Sequence, residues 1–160
     1  MEIERKFTVN KDMMPELDNY NYHKIEQAYL NTDPVVRIRK QDDEYILTYK
    51  GGGHMVREEY NLLLNKKSYK HLLKKADGNV ITKKRYLIPF DPYTIELDVF
   101  EGAFNGLIMA EIEFPTEEEA VNATGPEWFL KDVTFTKNFH NSKMSRMSAD
   151  EIKSFINENT

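Results

Sequence analysis

The chain has 160 residues, of which 40% are hydrophobic and 31% charged, enough to bury the core of one domain without disulfides. The formal net charge of −5 argues against non-specific nucleic-acid binding, which requires a basic surface that releases counterions. Because cysteine is absent, disulfides, thiolate nucleophiles and cysteine-based zinc sites are excluded. We expect a single domain over residues 1–160 in the cytoplasm, without membrane association, since no apolar run matches a signal peptide or a transmembrane helix.

Alternation of apolar and polar residues with period two dominates the chain and predicts β-strands. The predicted strands are Glu2–Val9, Tyr22–Leu30, Val35–Lys40, Tyr45–Lys50, Met55–Leu64, Asn79–Ile88, Tyr93–Glu101 and Leu107–Phe114. Residues that favour turns separate them, including Pro34 and the glycine run Gly51–Gly53. Because most of the links are short, antiparallel pairing is favoured over crossovers between parallel strands.

Three segments are predicted to be helical. Lys66–Ala76 places apolar side chains at helical spacing, and in Thr116–Ala123 the first residue stands three positions before Glu119, the spacing of a capping box. Ser148–Asn159 is the third. The predicted fold class is therefore α+β and mainly β.

One face of each of seven predicted strands carries charged or polar side chains, while the other face is apolar. The sets that share a face are Glu2, Glu4 and Lys6; Arg37 and Arg39; Thr48 and Lys50; Arg57, Glu59 and Asn61; Lys83 and Arg85; Glu96 and Asp98; and Glu111 and Glu113. If the strands are neighbours, these faces form one charged surface, and helices cover the apolar side. Both an open sheet and a barrel with a polar lumen are compatible with this pattern.

Two charges on a single strand are usually solvated, but here both signs recur on strand after strand. Arginine presents a planar fork of donors that matches phosphate oxygens. Carboxylate pairs supply the hard oxygen ligands that Mg²⁺ and Mn²⁺ prefer, and these cations often bridge protein to phosphates. The combination is what a metal-bound polyphosphate requires.

The N-terminal motif Glu2-x-Glu4-x-Lys6 resembles the ExExK motif of the CYTH superfamily, also called triphosphate tunnel metalloenzymes. The resemblance continues in the same order through the other charged sets listed above and ends in a segment from Val133-Thr134 to Phe139-x-Asn141. It implies an eight-stranded antiparallel β-barrel that forms a triphosphate tunnel, with a few helices packed outside. Two positions depart from the family pattern, since Asn61 replaces a frequent acid and Phe139 a frequent tyrosine.

The resemblance also implies roles for individual residues. Divalent metal, Mg²⁺ or Mn²⁺, would be bound by Glu2, Glu4, Glu111 and Glu113. The triphosphate would be held by Lys6, Arg37, Arg39, Lys50, Arg57, Lys83 and Arg85. The catalytic set would comprise Glu4, Lys6, Arg39 and Glu113, and Glu59 and Asp98 would be further acidic groups lining the tunnel.

The function that this reading favours is metal-dependent hydrolysis of a triphosphate, with inorganic tripolyphosphate as the first candidate and nucleoside triphosphates as further ones. The alternatives are a class IV adenylyl cyclase, a thiamine triphosphatase and a non-catalytic module that binds polyphosphate or nucleotide. The expected partner is a small-molecule triphosphate rather than a nucleic acid or a membrane. We expect a monomer or a homodimer.

Overall fold

A computed structural model describes all residues from 1 to 160. The strands are β1 (Glu2–Val9), β2 (Tyr22–Thr32), β3 (Val35–Gln41), β4 (Glu44–Lys50), β5 (Val56–Arg57), β6 (Glu59–Leu64), β7 (Asp77–Phe90), β8 (Tyr93–Glu101), β9 (Ile108–Glu113) and β10 (Phe129–Asp132). The α-helices are α1 (Lys66–Leu73), α2 (Glu117–Asn122), α3 (Asn141–Met144) and α4 (Ala149–Glu158). None of these helices combines the length and the apolar composition that crossing a bilayer requires.

The strands form an antiparallel barrel. Their order is β10-β1-β9-β8-β7-β2-β3-β4-β6, and β5 pairs with β1. Since only Glu58 separates β5 from β6, the segment from Val56 to Leu64 pairs with β4 on one side and with β1 on the other, which closes the sheet. The predicted eight-stranded barrel is therefore confirmed, with β5 and β6 together as its eighth strand. β10 was not predicted and is an additional short strand beside β1.

The outer face of the barrel is apolar and carries two of the helices. Tyr69 of α1 packs against Ala28 and Ile38, and Ala120 of α2 packs in a second cluster that includes Leu97 and Ile112. Asn65 caps α1, as its side chain accepts a hydrogen bond from the Ser68 amide. The prediction that helices cover the apolar face is confirmed, although α1 ends at Leu73 rather than at Ala76.

The lumen changes character along its length. Ile81, Phe100 and Met109 share strand faces with the charged residues of β7, β8 and β9, yet they belong to a buried apolar cluster. Ile152 and Phe155 of α4 belong to the same cluster, so the C-terminal helix packs over this part of the barrel. The charged side chains are consequently confined to the remainder of the lumen, which defines the candidate site.

Candidate functional site

A cavity of about 310 Å³ lies inside the barrel, and we call it the barrel cavity. Its cationic lining residues are Lys6, Arg37, Arg39, Lys50, Arg57, Lys83 and Arg85. Its acidic lining residues are Glu2, Glu4, Glu59, Glu96, Glu111 and Glu113. All residues that the sequence assigned to the site therefore face one cavity, except Asp98.

Asp98 does not line the barrel cavity but lies behind its wall, where it holds the side chains of Arg85 and Lys83 in place. Its carboxylate accepts hydrogen bonds from Arg85 Nε (2.7 Å) and Nη2 (2.9 Å) and from Lys83 Nζ (2.7 Å). Burial alone raises the pKa of Asp98, but the Arg85 and Lys83 charges outweigh it and lower the pKa below its usual value. The prediction that Asp98 lines the tunnel is thus corrected: the strand pairing places it under two cationic side chains, so it is a positioning residue.

Glu111 is also held by two cations. Lys6 Nζ lies 3.1 Å from its Oε1, and Arg85 Nη2 lies 3.1 Å from its Oε2. Although burial raises the pKa of Glu111, the charges of Lys6 and Arg85 keep it well below its usual value. Lys6 Nζ also donates to the Phe139 carbonyl at 3.0 Å, so this lysine is fixed from two sides.

Lys50 forms ion pairs with two carboxyl groups. Its Nζ lies 2.8 Å from Glu2 Oε1 and 3.3 Å from Glu59 Oε2. Burial and the Glu4 charge raise the pKa of Glu2 to about 8. Burial alone would raise the pKa of Glu59 as well, but a hydrogen bond with Glu2 and the Lys50 charge lower it to about 2. The two carboxyl groups therefore share one proton near neutral pH.

Two arginines of β3 have no acidic partner. Arg37 Nη2 donates to Thr48 Oγ1 at 3.2 Å, while its buried Nε has no hydrogen-bond partner. Arg39 donates from Nε (3.0 Å) and Nη2 (2.7 Å) to the side-chain oxygen of Gln27. Burial, together with the charges of Arg37 and Arg85, lowers the pKa of Arg39 to about 9. Arg37 is buried and Arg39 is half-buried. Cations withdrawn from water without a counterion are costly, and an anionic ligand would relieve that cost.

Two carboxylates have no cationic partner either. Glu4 and Glu113 are Cα partners across β1 and β9, and neither forms an ion pair or a side-chain hydrogen bond. Like charges directly opposite each other destabilise a sheet. Burial and the Glu111 charge raise the pKa of Glu4, and burial with the charges of Glu96 and Glu59 raises that of Glu113. A cation between these side chains would remove the repulsion.

The family model described as CYTH domain matches residues 1–148. The chain belongs to the CYTH family. Two relatives are each called an inorganic triphosphatase. The protein from Nitrosomonas europaea is 34% identical in a match of 149 positions, which covers 90% of this chain and 96% of that one. The protein from Acetivibrio thermocellus is 32% identical over 148 residues, covering 89% and 92% of the two chains.

A solved structure of an inorganic triphosphatase matches the CYTH barrel with a TM-score of 0.68 and 30% sequence identity. The match covers 92% of this chain and 96% of that chain. The similarity therefore extends over nearly the whole fold, including the strands that carry the charged lumen.

The CYTH cavity contains no group of three or more acidic or histidine side chains arranged to hold a metal ion by themselves. Mg²⁺, however, usually binds through one or two carboxylates, with substrate phosphates and water completing its shell. Glu4 and Glu113 supply two hard oxygen donors without a competing cation, whereas Lys6 and Arg85 engage Glu111. The donor set fits a metal that enters together with a phosphate ligand.

Three residues of this CYTH site were given no role from the sequence, although Glu96 belonged to a charged set and Asn141 to the closing motif. Glu96 shares a strand face with Asp98, and its i, i+2 spacing was a signal for it. His140 and Asn141 line the cavity where α3 begins, and no strand alternation exists there to reveal the direction of their side chains. Asn141 Oδ1 accepts hydrogen bonds at 2.9 Å from both Lys83 Nζ and Gln27 Nε2, so it holds two neighbouring side chains in place.

The two positions that depart from the family pattern have structural roles. Asn61 accepts a hydrogen bond from Thr48 Oγ1 at 2.6 Å and donates to Glu59 Oε1 at 2.9 Å. Phe139 is buried, and its ring packs 4.9 Å from that of Phe155. The Phe139 side chain thus joins the apolar cluster, while its carbonyl accepts the hydrogen bond from Lys6.

From the pKa values of Glu2 and Glu59 we predict how the stability of the metal-free protein depends on pH. Glu2 keeps its proton in the folded state up to about pH 8, whereas the unfolded carboxyl releases it near 4.5, so stability from this group falls as pH rises between these values. Glu59 acts oppositely, and its contribution is lost as pH falls from 4.5 towards 2.

Thermal unfolding in the presence of EDTA tests this expectation. The midpoint of the native protein should fall as pH rises from 4.5 to 8, and Glu2→Gln should make that fall shallower because it removes the titrating group. Glu118→Gln, at an exposed position of α2, is the matched control. Equal slopes for Glu2→Gln and the native protein would contradict the assignment.

Proposed function

We propose that the chain hydrolyses inorganic tripolyphosphate in the barrel cavity, with Mg²⁺ or Mn²⁺ bound beside the substrate. One observation carries the proposal: a single cavity contains two arginines without a counterion, the buried Arg37 and the half-buried Arg39, and two carboxylates without a cation, Glu4 and Glu113. A metal complex of a polyphosphate supplies both missing charges. The two relatives named inorganic triphosphatase support this choice of substrate.

Substrate binding would rest on the cations of the cavity wall. Arg37 and Arg39 are the first candidates because binding an anion costs them no existing ion pair, and a guanidinium can donate two parallel hydrogen bonds to phosphate. Lys6, Lys50, Lys83 and Arg85 add positive charge from the neighbouring strands, and each is oriented by an acidic partner. Arg57, whose Nε donates to the Gly51 carbonyl, completes the proposed set.

Hydrolysis would proceed by attack of water on a terminal phosphorus. A new P–O bond forms, the bond from that phosphorus to the bridging oxygen breaks, and the products are orthophosphate and pyrophosphate. The cations stabilise the charge that develops on the bridging oxygen. A carboxylate oxygen of Glu4 or Glu113 that is not bound to the metal can accept the proton that the water loses. When bound, the divalent metal supplies additional charge neutralisation and lowers the pKa of water.

A product assay tests the function directly. The protein is incubated with Mg²⁺ or Mn²⁺ and tripolyphosphate, ATP or thiamine triphosphate. We expect orthophosphate from tripolyphosphate and none after EDTA is added. Pyrophosphate together with cyclic AMP from ATP would identify a cyclase, and preference for thiamine triphosphate would identify a different hydrolase. Binding of tripolyphosphate without any product would identify a binding module.

The choice of metal, the monomeric or homodimeric state and the cytoplasmic location stay predictions from the sequence. The same holds for the expectation that the chain binds neither nucleic acid nor membranes. The geometry of the barrel supports only the proposal of a binding site for a small molecule.

A further inference from the structure

One side of strand β6 has no partner in the barrel. β6 pairs with β4 along its other side, while the pairing with β1 is made by β5. The Gly51 amide donates to the Glu58 carbonyl, and because hydrogen-bonded pairs alternate in an antiparallel ladder, the even-numbered residues of β6 bond to β4. The amides and carbonyls of Glu59, Asn61 and Leu63 therefore point away from β4, and they have no hydrogen-bond partner within the chain. We call this row of backbone groups the β6 edge.

Apolar side chains beside the β6 edge are exposed. Tyr60 is 59% exposed, Leu62 63% and Leu63 84%. The ring of Tyr49 on β4 lies next to Tyr60, with 6.2 Å between the ring centroids, so the apolar surface extends onto the neighbouring strand. Proteins usually protect a free strand edge with proline, with charges along the strand or with a bulge. After Glu59, β6 has no proline and no charge, which leaves its edge suited to pairing with another strand.

The charges at the two ends of β6 are opposite in sign. Glu58 and Glu59 stand at its start, and Lys66 and Lys67 follow its end at the beginning of α1. Glu58 and both lysines are exposed, and none of these three forms an ion pair within the chain. When two β6 strands are aligned antiparallel, the acidic start of each lies beside the basic end of the other. The pattern is therefore complementary to itself, whereas a parallel alignment would bring like charges together.

We propose that the β6 edge pairs with the same edge of a second copy of this chain, so that two barrels share one continuous antiparallel sheet. Such a contact is symmetric about a two-fold axis, as in most homodimers. A register centred on Leu62 places Tyr60 of each copy opposite Leu64 of the other, and Glu58 beside Lys66 of the other. Backbone hydrogen bonds, apolar contacts and charges then all favour the same alignment.

The proposed contact leaves the barrel cavity as it is. Side chains of a strand point out of the sheet, while its hydrogen bonds lie within the sheet. Glu59 and Asn61 therefore keep their side chains in the cavity wall when their backbone groups pair with a second copy. The dimer uses no side chain of the proposed metal or phosphate sets, so the dimer and the proposed function can be tested independently.

Sedimentation velocity at about 0.1 M salt tests the contact. We expect the native chain to sediment as a dimer. A charge-reversed variant, Lys66→Glu with Lys67→Glu, should raise the dissociation constant of the dimer about tenfold or more, because like charges then meet at both ends of the strand pair. Adding Glu58→Lys should reverse most of this rise. Lys74→Glu with Lys75→Glu, at exposed positions beyond α1, changes the net charge equally and should leave the dimer unchanged.

Hydrogen exchange shows whether the backbone of β6 takes part. The amides of Asn61 and Leu63 should be protected in the native dimer and exchange rapidly in the charge-reversed variant. The amides of Tyr60 and Leu62, on the side of β4, should be protected in both proteins. A native chain that stays monomeric up to its highest soluble concentration would overturn the proposal. A dimer that survives the charge reversal unchanged, or whose Asn61 and Leu63 amides exchange rapidly, uses another surface and overturns it as well.

Discussion

Replacing Glu4 or Glu113 with glutamine is expected to reduce metal-dependent orthophosphate release from tripolyphosphate by about 100-fold or more. Both side chains lack a cationic partner and repel each other across β1 and β9, so they are the groups in the cavity best placed to bind a divalent cation. Glutamine keeps the shape but removes the charge. Because the repulsion disappears as well, the free energy of unfolding without metal should not decrease.

Steady-state phosphate release and chemical denaturation measure the two halves of this prediction. Glu118→Gln removes an exposed carboxylate of α2 outside the barrel cavity and should leave both quantities unchanged. Near-normal turnover in Glu4→Gln and Glu113→Gln would refute the assignment of these residues to the metal. A large loss of stability would instead show that the carboxylates support the fold.

Arg37→Met is expected to separate activity from stability. The substitution should lower turnover by about 100-fold, since it removes a buried cation that has no counterion other than a bound phosphate. The protein should be at least as stable as the native one, because burying an unpaired charge is costly and methionine fills similar space. The loss of the hydrogen bond to Thr48 offsets this gain by about 1 kcal/mol.

Ligand-induced stabilisation gives a second measurement on the same variant. Tripolyphosphate at 100 times its Kd stabilises a protein by about 2.7 kcal/mol, and this increase should be absent in Arg37→Met at the concentration that stabilises the native chain. Lys40→Met is the matched control, since Lys40 lies on the same strand but on the opposite face and is exposed. If Arg37→Met binds tripolyphosphate as the native protein does, Arg37 is not a substrate-binding residue.

Much of the barrel could be predicted from local alternation alone. The bounds of β1 and β8 agree with the sequence prediction, and most other strands differ from it by one or two residues at their ends. Met55–Leu64 was predicted as one strand, but the segment changes its partner at Glu58: β6 pairs with β4, whereas β5 pairs with β1. β10 escaped prediction because four residues carry too little alternation, and pairing with β1 is what makes it a strand.

Most residues of the site could also be predicted from the sequence, because side chains two residues apart on a strand must share a face. That rule predicted which of these residues share a strand face, while the family resemblance implied that the faces close around one cavity. The alternation of side chains gives no information about the distances between side chains on different strands of the barrel. Lys50 meets Glu2 across 48 positions of the chain, and His140 enters the cavity from a segment without any strand pattern.

The sequence by itself thus determined which charged side chains point into the barrel, since alternation is a local property of an extended backbone. Only the tertiary structure decided which of those charges are neutralised. Asp98 is surrounded by Arg85 and Lys83 because β7 and β8 pair in one particular register. The registers of β1 with β9 and of β3 with β4 leave Glu4 and Arg37 without partners of opposite charge. Coulomb energy depends on distances between strands, and those distances exist only once the barrel has closed.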